Sequence, residues 1–197
     1  MHLYFGGSFD PPHIGHDQLL SHLLTIKNIK AVHVVPTGQN PLKDHTGLLT
    51  AKQRQLWVKS WLAAHNSKKI QLQDLEIKAQ GKSYTFDTIT KLKKNYDGPW
   101  ALVMGSDLCP NFKQWHRWQG LLDLFDAIFL FPRKGYPQKN ISDFTNEYSE
   151  RIEIKWLDCK IDNISSTQIR NEISNGEKNL ALPKSLLSLV ADLASID

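Results

Sequence analysis

Short apolar runs alternate with helix-patterned stretches along this chain, and few folds accept that order. HLYF (2–5) stops at Gly6 and Gly7, and AVHVVP (31–36) stops at Pro36. IQLQDLEI (70–77), PWALVMG (99–105), DAIFLFP (126–132) and RIEIKWL (151–157) follow. β-Branched residues and flanking Gly or Pro favour strands over helix fragments. Helices are predicted from His16 to Ile26, carrying Leu19, Leu20, Leu23 and Leu24, and from Thr50 to His65. The second opens with a capping box, Thr50 with Gln53, and is expected to bury Leu56, Trp57 and Trp61. Thr85 to Tyr96 gathers Phe86, Ile89, Leu92 and Tyr96 on one side. Ser165 to Ser174 starts with another capping box, Ser165 with Gln168, and Pro183 opens a last helix to Ala194.

Strand–helix alternation predicts parallel strands joined by helical crossovers, a doubly wound, mostly parallel α/β sheet of the Rossmann-like kind. No repeat, low-complexity tract or Ser/Gly linker divides the 197 residues. A single domain is expected, with a helical C-terminal part over about 165–197 and the polar segment 134–150 as an excursion or small subdomain.

Composition narrows the function classes. Apolar residues make up 41% and charged residues 22%, the balance of a soluble globular chain. The formal net charge is +4, which suits an anionic ligand. The lysines come in short pairs, Lys68 with Lys69 and Lys93 with Lys94, rather than in a basic stripe, so no nucleic-acid partner is expected. Cys109 and Cys159 form no CxxC and no metal spacing, so the sequence predicts no protein-held metal and a reduced, cytoplasmic setting. The N-terminus lacks a signal-peptide pattern, and the longest apolar run, AIFLF (127–131), is too short to span a bilayer. No membrane partner is expected; a homo-oligomer stays open.

The chemistry concentrates in GGSFDPPHIGH, residues 6 to 16. A strand ending at Gly6 and Gly7, a tight loop and a helix start form a mononucleotide-binding arrangement. The two glycines let a phosphate approach the backbone, and Pro11 and Pro12 stiffen the turn. The following helix aims free N–H groups at the same space. His13 and His16, three residues apart, share one side of that helix start and can donate to phosphate oxygens. Neither a Walker loop nor a Rossmann glycine fingerprint is present.

The whole string resembles the GxFDPxHxGH signature of nucleotidyltransferases, and ISSTQIR (164–170) resembles their late ISSTxIR/K helix start. Middle segments are similar to those of bacterial nicotinate mononucleotide adenylyltransferases: PTGQNPLK (36–43), GKSYTFDTI (81–89), MGSDLCPNFKQWHRW (104–118) and FPRKGYP (131–137). The chain departs from that pattern at Leu42 and Lys134. The resemblance implies transfer of AMP from ATP to nicotinate mononucleotide, with Mg²⁺ accompanying ATP. His13, His16, Lys43 and Arg170 would be catalytic. Gly6, Gly7, Ser8, Phe9, Asp107, Arg133, Ile164, Ser165, Ser166 and Thr167 would hold ATP. Tyr84, Thr85, Trp115 and His116 would hold the mononucleotide, Trp115 stacking on the pyridine ring. A phosphopantetheine adenylyltransferase, which shares both end motifs, and a preference for nicotinamide mononucleotide stay open as alternatives.

Overall fold

The computed structural model describes residues 1–39, 47–79, 81–133, 135 and 138–193. Six strands form one sheet: β1 (His2–Gly7), β2 (Ala31–Pro36), β3 (Ile70–Leu72), β4 (Trp100–Gly105), β5 (Ala127–Phe131) and β6 (Glu153–Trp156). Their order is β3-β2-β1-β4-β5-β6 and every pairing is parallel. The order reverses between β1 and β4, and crevices outside the carboxyl ends of strands at such a point are where doubly wound sheets take ligands.

Helices cover both faces: α1 (Ile14–Thr25), α2 (Ala51–Ala63), α3 (Leu75–Lys78), α4 (Thr85–Leu92), α5 (Trp118–Leu124), α6 (Gln138–Tyr148), α7 (Ser166–Ser174) and α8 (Leu187–Leu193). Period-two alternation sorts the strand side chains between two cores. Leu3, Phe5, Val32, Val34, Val103 and Phe129 face α1, α2 and α7, against Leu20, Trp57, Trp61 and Ile169. Tyr4, Val35, Leu102, Met104, Ile128 and Leu130 face α4, α5 and α6, against Ile89, Leu121 and Phe144. The central strands β1, β2, β4 and β5 are buried over most of their length, which is why their runs read as continuously apolar, whereas β3 is half-buried and β6 is mostly exposed.

Four local expectations change. The run at 70–77 divides: β3 stops at Leu72, and Leu75 to Lys78 coil into α3. There Glu76 turns inward, buried, to accept the Tyr4 hydroxyl at 2.9 Å and the Thr88 hydroxyl at 2.8 Å. On α2, Leu56 is 53% exposed while Arg54 is buried with Trp57, Val58, Trp61 and Leu62. These five share one helical stripe, so Arg54 occupies the inward place expected of Leu56. The segment 134–150 contains helix α6, whose Ile141, Phe144 and Tyr148 are buried at helical spacing. The box predicted at α7 is half made: Ser165 Oγ accepts from Gln168 N at 3.1 Å, but the Gln168 amide donates onward to Glu172. The box at α2 is complete.

Candidate functional site

The two ends of the chain meet at the carboxyl edge of β1. After Gly7 the backbone enters the left-handed region at Phe9 (φ 47°), and a cis Asp10–Pro11 bond follows. Phe9 turns its ring into the core, edge-on to Phe5 and His16. Asp10 is buried, and its carboxylate accepts the Leu48 N–H at 3.2 Å and the Leu49 N–H at 2.9 Å. His13 caps α1 in extended conformation.

From the other end, Arg170 on α7 donates from Nη1 to the Asp10 carbonyl at 2.9 Å and from Nη2 to Thr167 Oγ1 at 3.0 Å. Ser166 Oγ donates to the Pro11 carbonyl at 3.0 Å. Gln18 and Asp162 exchange two hydrogen bonds, at 2.9 and 2.8 Å, and Ile14 N–H reaches the Ala181 carbonyl at 2.9 Å. The helix starts of α1 and α7 therefore converge on one place, and their free N–H groups and positive ends add there.

The two imidazoles stack, with ring centroids 3.7 Å apart. His16 Nδ1 accepts the His13 backbone N–H at 3.2 Å, which sets the proton of a neutral His16 ring on Nε2. His13 is 3% exposed, and its buried Nδ1 has no hydrogen-bond partner among the described residues. Burial, and then the nearby Arg133 charge, push its pKa from 6.5 down to about 3. An orphaned buried nitrogen beside cationic groups is the arrangement that an anion would complete.

Arg133 lies past the end of β5 and donates from both Nη atoms to the Ile164 carbonyl at 3.3 Å. Its Nε stands 4.0 Å from Asp107 Oδ1. Asp107 lies in the first turn of a 3-10 segment, Ser106–Gln114, directly after β4. A side chain at Gly105 would displace the Asp107 carboxylate, whose Oδ1 lies where a Cβ would stand. On the far side of β4, the Tyr84 ring lies 4.4 Å from that of His116, and Arg117, held left-handed at φ 53°, places its guanidinium 4.0 Å over Phe86. These contacts bring Tyr84 and Thr85, at the start of α4, beside Trp115 and His116. Trp115 is half-buried, its ring 5.6 Å from Phe112, and His116 is exposed.

The sequence-predicted residues thus form two neighbouring groups along one sheet edge. Gly6, Gly7, Ser8, His13, His16, Asp107, Arg133, Ile164 to Thr167 and Arg170 make the first; Tyr84, Thr85, Trp115 and His116 make the second. Lys43 lies outside the described residues. Asp10, Arg54 and Glu76 are placed among these groups and were not singled out from sequence. For Arg54 the signal was there: it falls on the stripe of Trp57, Val58, Trp61 and Leu62. Two surface hollows, one lined by Leu62, Asn66 and Leu72 and one by Gln53 and Leu56, share no residue with either group.

The fold and this edge define a nucleotide-binding α/β protein of the nucleotidyltransferase class. A family model described as "Cytidylyltransferase-like" matches residues 4–172, and the chain belongs to that family. Within it, the chain is 37% identical over 88% of its length, and 87% of the relative's, to a Fusobacterium nucleatum protein named "Probable nicotinate-nucleotide adenylyltransferase". A Leptospira interrogans protein of the same name is 32% identical over 94% of this chain and 92% of its own. In fold, the chain superposes on the Plasmodium falciparum nicotinic acid mononucleotide adenylyltransferase complexed with NaAD, with TM-score 0.74, at 20% identity, over 100% of this chain and 98% of that one. No helix among the described residues is long and apolar enough to cross a membrane.

Proposed function

We propose that this chain transfers the AMP part of ATP to nicotinate mononucleotide, releasing pyrophosphate and nicotinate adenine dinucleotide. The observation that carries the reading is the junction of Arg170 and Ser166 with Asp10 and Pro11, which sets the late motif against His13 and His16. The names of the relatives point to the same activity.

In this reading a phosphate oxygen of the mononucleotide attacks the α-phosphorus of ATP, and pyrophosphate leaves in line. The attacking oxygen is already an anion, so no general base is required. The protein contributes position and positive charge. His13, His16, Arg170 and Lys43 take the phosphates, together with the N–H groups at the starts of α1 and α7. The backbone of Gly6 to Phe9 lines the phosphate loop, Phe9 through its peptide groups alone. Asp107, Arg133 and Ile164 to Thr167 flank the adenylate side. Trp115 supplies the plate for the pyridine ring, with Tyr84, Thr85 and the His116 backbone around its carboxylate. Mg²⁺ accompanying ATP would supply charge neutralisation at the phosphates, and no group of His, Cys, Asp or Glu among the described residues is set to hold it. Both cysteines are free, in keeping with a cytoplasmic setting.

The test is pyrophosphate release from ATP with nicotinate or nicotinamide mononucleotide supplied in turn. Release with the nicotinate form at higher kcat/KM is expected. Release with phosphopantetheine instead, or with no mononucleotide at all, refutes the assignment.

A further inference from the structure

Arg54 is charged and buried, yet the reaction described above gives it no task. It is 8% exposed, on the inward stripe of α2. Its guanidinium is committed to main-chain carbonyls. Nη1 donates to Ser8 O at 3.0 Å and to Thr37 O, and Nη2 donates to Gly38 O at 2.8 Å. These carbonyls lie just beyond the last paired residues of β1 and β2, Gly7 and Pro36, where the ladder ends. Burial lowers the pKa of Arg54, and the Asp10 charge opposes that shift.

Burying a guanidinium is expensive unless its donors are matched, and here they match in a fork that no ammonium could reproduce. The fork controls orientation. In a planar trans peptide the C=O and the next N–H point in opposite directions. Turning Ser8 O toward α2 turns the Phe9 N–H away from α2. Turning Thr37 O the same way sends the Gly38 N–H outward, where it donates to Ser83 Oγ at 3.1 Å. Ser83 leads directly into Tyr84 and Thr85. The β2 exit has no slack, since a Cβ on Gly38 would meet the Glu76 carbonyl oxygen at 2.1 Å. One side chain therefore sets the peptide planes of the phosphate loop and of the segment that reaches the mononucleotide side.

We propose that Arg54 is a positioning residue for adenylyl transfer: it holds the β1 and β2 exits in the mutual geometry that aligns the two phosphate groups. This rests on the function proposed above. The test compares wild type with Arg54→Lys and Arg54→Ala, by steady-state pyrophosphate release with each substrate varied, near-ultraviolet circular dichroism and thermal unfolding. A folded Arg54→Lys is expected to lose about 10²-fold in kcat, the effect of misplacement by about 1 Å, while the mononucleotide KM moves less than about threefold. Methylguanidinium is expected to restore turnover to Arg54→Ala, and methylammonium is not.

A folded Arg54→Lys with kcat within about threefold of wild type overturns the proposal, since misplaced phosphates cannot react at that rate. A loss of turnover that only follows the loss of melting temperature also overturns it, as does rescue of folding without turnover. Variants that fail to fold even with methylguanidinium make Arg54 a folding residue and nothing more. Wild-type protein that releases no pyrophosphate with either mononucleotide overturns the proposed function itself, and is thereby told apart from a failure confined to Arg54.

Discussion

Acidification tests whether His13 is the buried, neutral imidazole of the phosphate site. Its pKa is pushed from 6.5 down to about 3 by burial and by Arg133. The unfolded chain therefore binds more protons than the folded one between those values. Stability is fully present above pH 6.5 and is lost progressively as pH falls toward the folded value. Between about pH 7 and about pH 5, one such histidine removes about 2 kcal/mol. That is a large part of the roughly 5–15 kcal/mol that holds a typical domain. His33, pushed down to about 4 by burial and by His2, acts in the same direction but is common to both proteins in the comparison. The comparison is urea unfolding of wild type and His13→Gln at the two pH values, with stability from linear extrapolation. Wild type should lose about 2 kcal/mol more than the variant. Saturating ATP should shrink the difference, because a phosphate beside the ring raises its pKa. ATP binding should then take up protons, visible in calorimetry as a heat that depends on the buffer. Parallel acid losses in the two proteins, within about 0.5 kcal/mol, refute the reasoning.

Arg170→Met should lower kcat about 10²- to 10³-fold. Its readout is pyrophosphate release, with near-ultraviolet circular dichroism to confirm that the loop contacted through Asp10 is still folded. Trp115→Ala should raise KM for the mononucleotide several-fold more than KM for ATP; an effect confined to ATP removes Trp115 from the pyridine side. Leu56→Lys should change unfolding free energy by no more than about 0.5 kcal/mol, because this residue faces solvent where the helical pattern places a core leucine. A loss of several kcal/mol there would return Leu56 to the interior.

The centre of the sheet was legible because β1, β2, β4 and β5 are buried over most of their length and run into Gly or Pro, as at Gly6, Gly7 and Pro36. What stayed hidden depended on tertiary partners. IQLQDLEI has the composition of one long strand. β2 offers β3 partners only from Val32 to Val34, and the buried Glu76 finds its hydroxyl donors only if the chain coils after Leu72. Helix α5 follows a left-handed Arg117, a conformation that Arg does not advertise and that the contact with Phe86 supports. The end motifs were legible as motifs, but their mutual contacts were not. Nothing in the letters says that Gln18 pairs with Asp162 or that Ser166 reaches the Pro11 carbonyl.

The seam between those ends gives the motif residues an architectural role beside the ligand role proposed for them. Ser166 binds the Pro11 carbonyl, and Arg170 binds the Asp10 carbonyl while standing 4.0 Å from its carboxylate. Each of these groups uses a donor to fasten α7 to the β1–α1 loop. A guanidinium carries five N–H donors, so fastening does not exhaust Arg170. His13 Nδ1, in the same seam, has no hydrogen-bond partner among the described residues. The Arg170 guanidinium is thus fixed by the Asp10 carbonyl and the Thr167 hydroxyl, so in the proposed reading little of a phosphate's binding energy would be lost to ordering it. Under the proposed function, a site organised in this way would favour the charge distribution of the adenylyl-transfer transition state over that of the ground state, because its dipoles would not have to rearrange when charge moves.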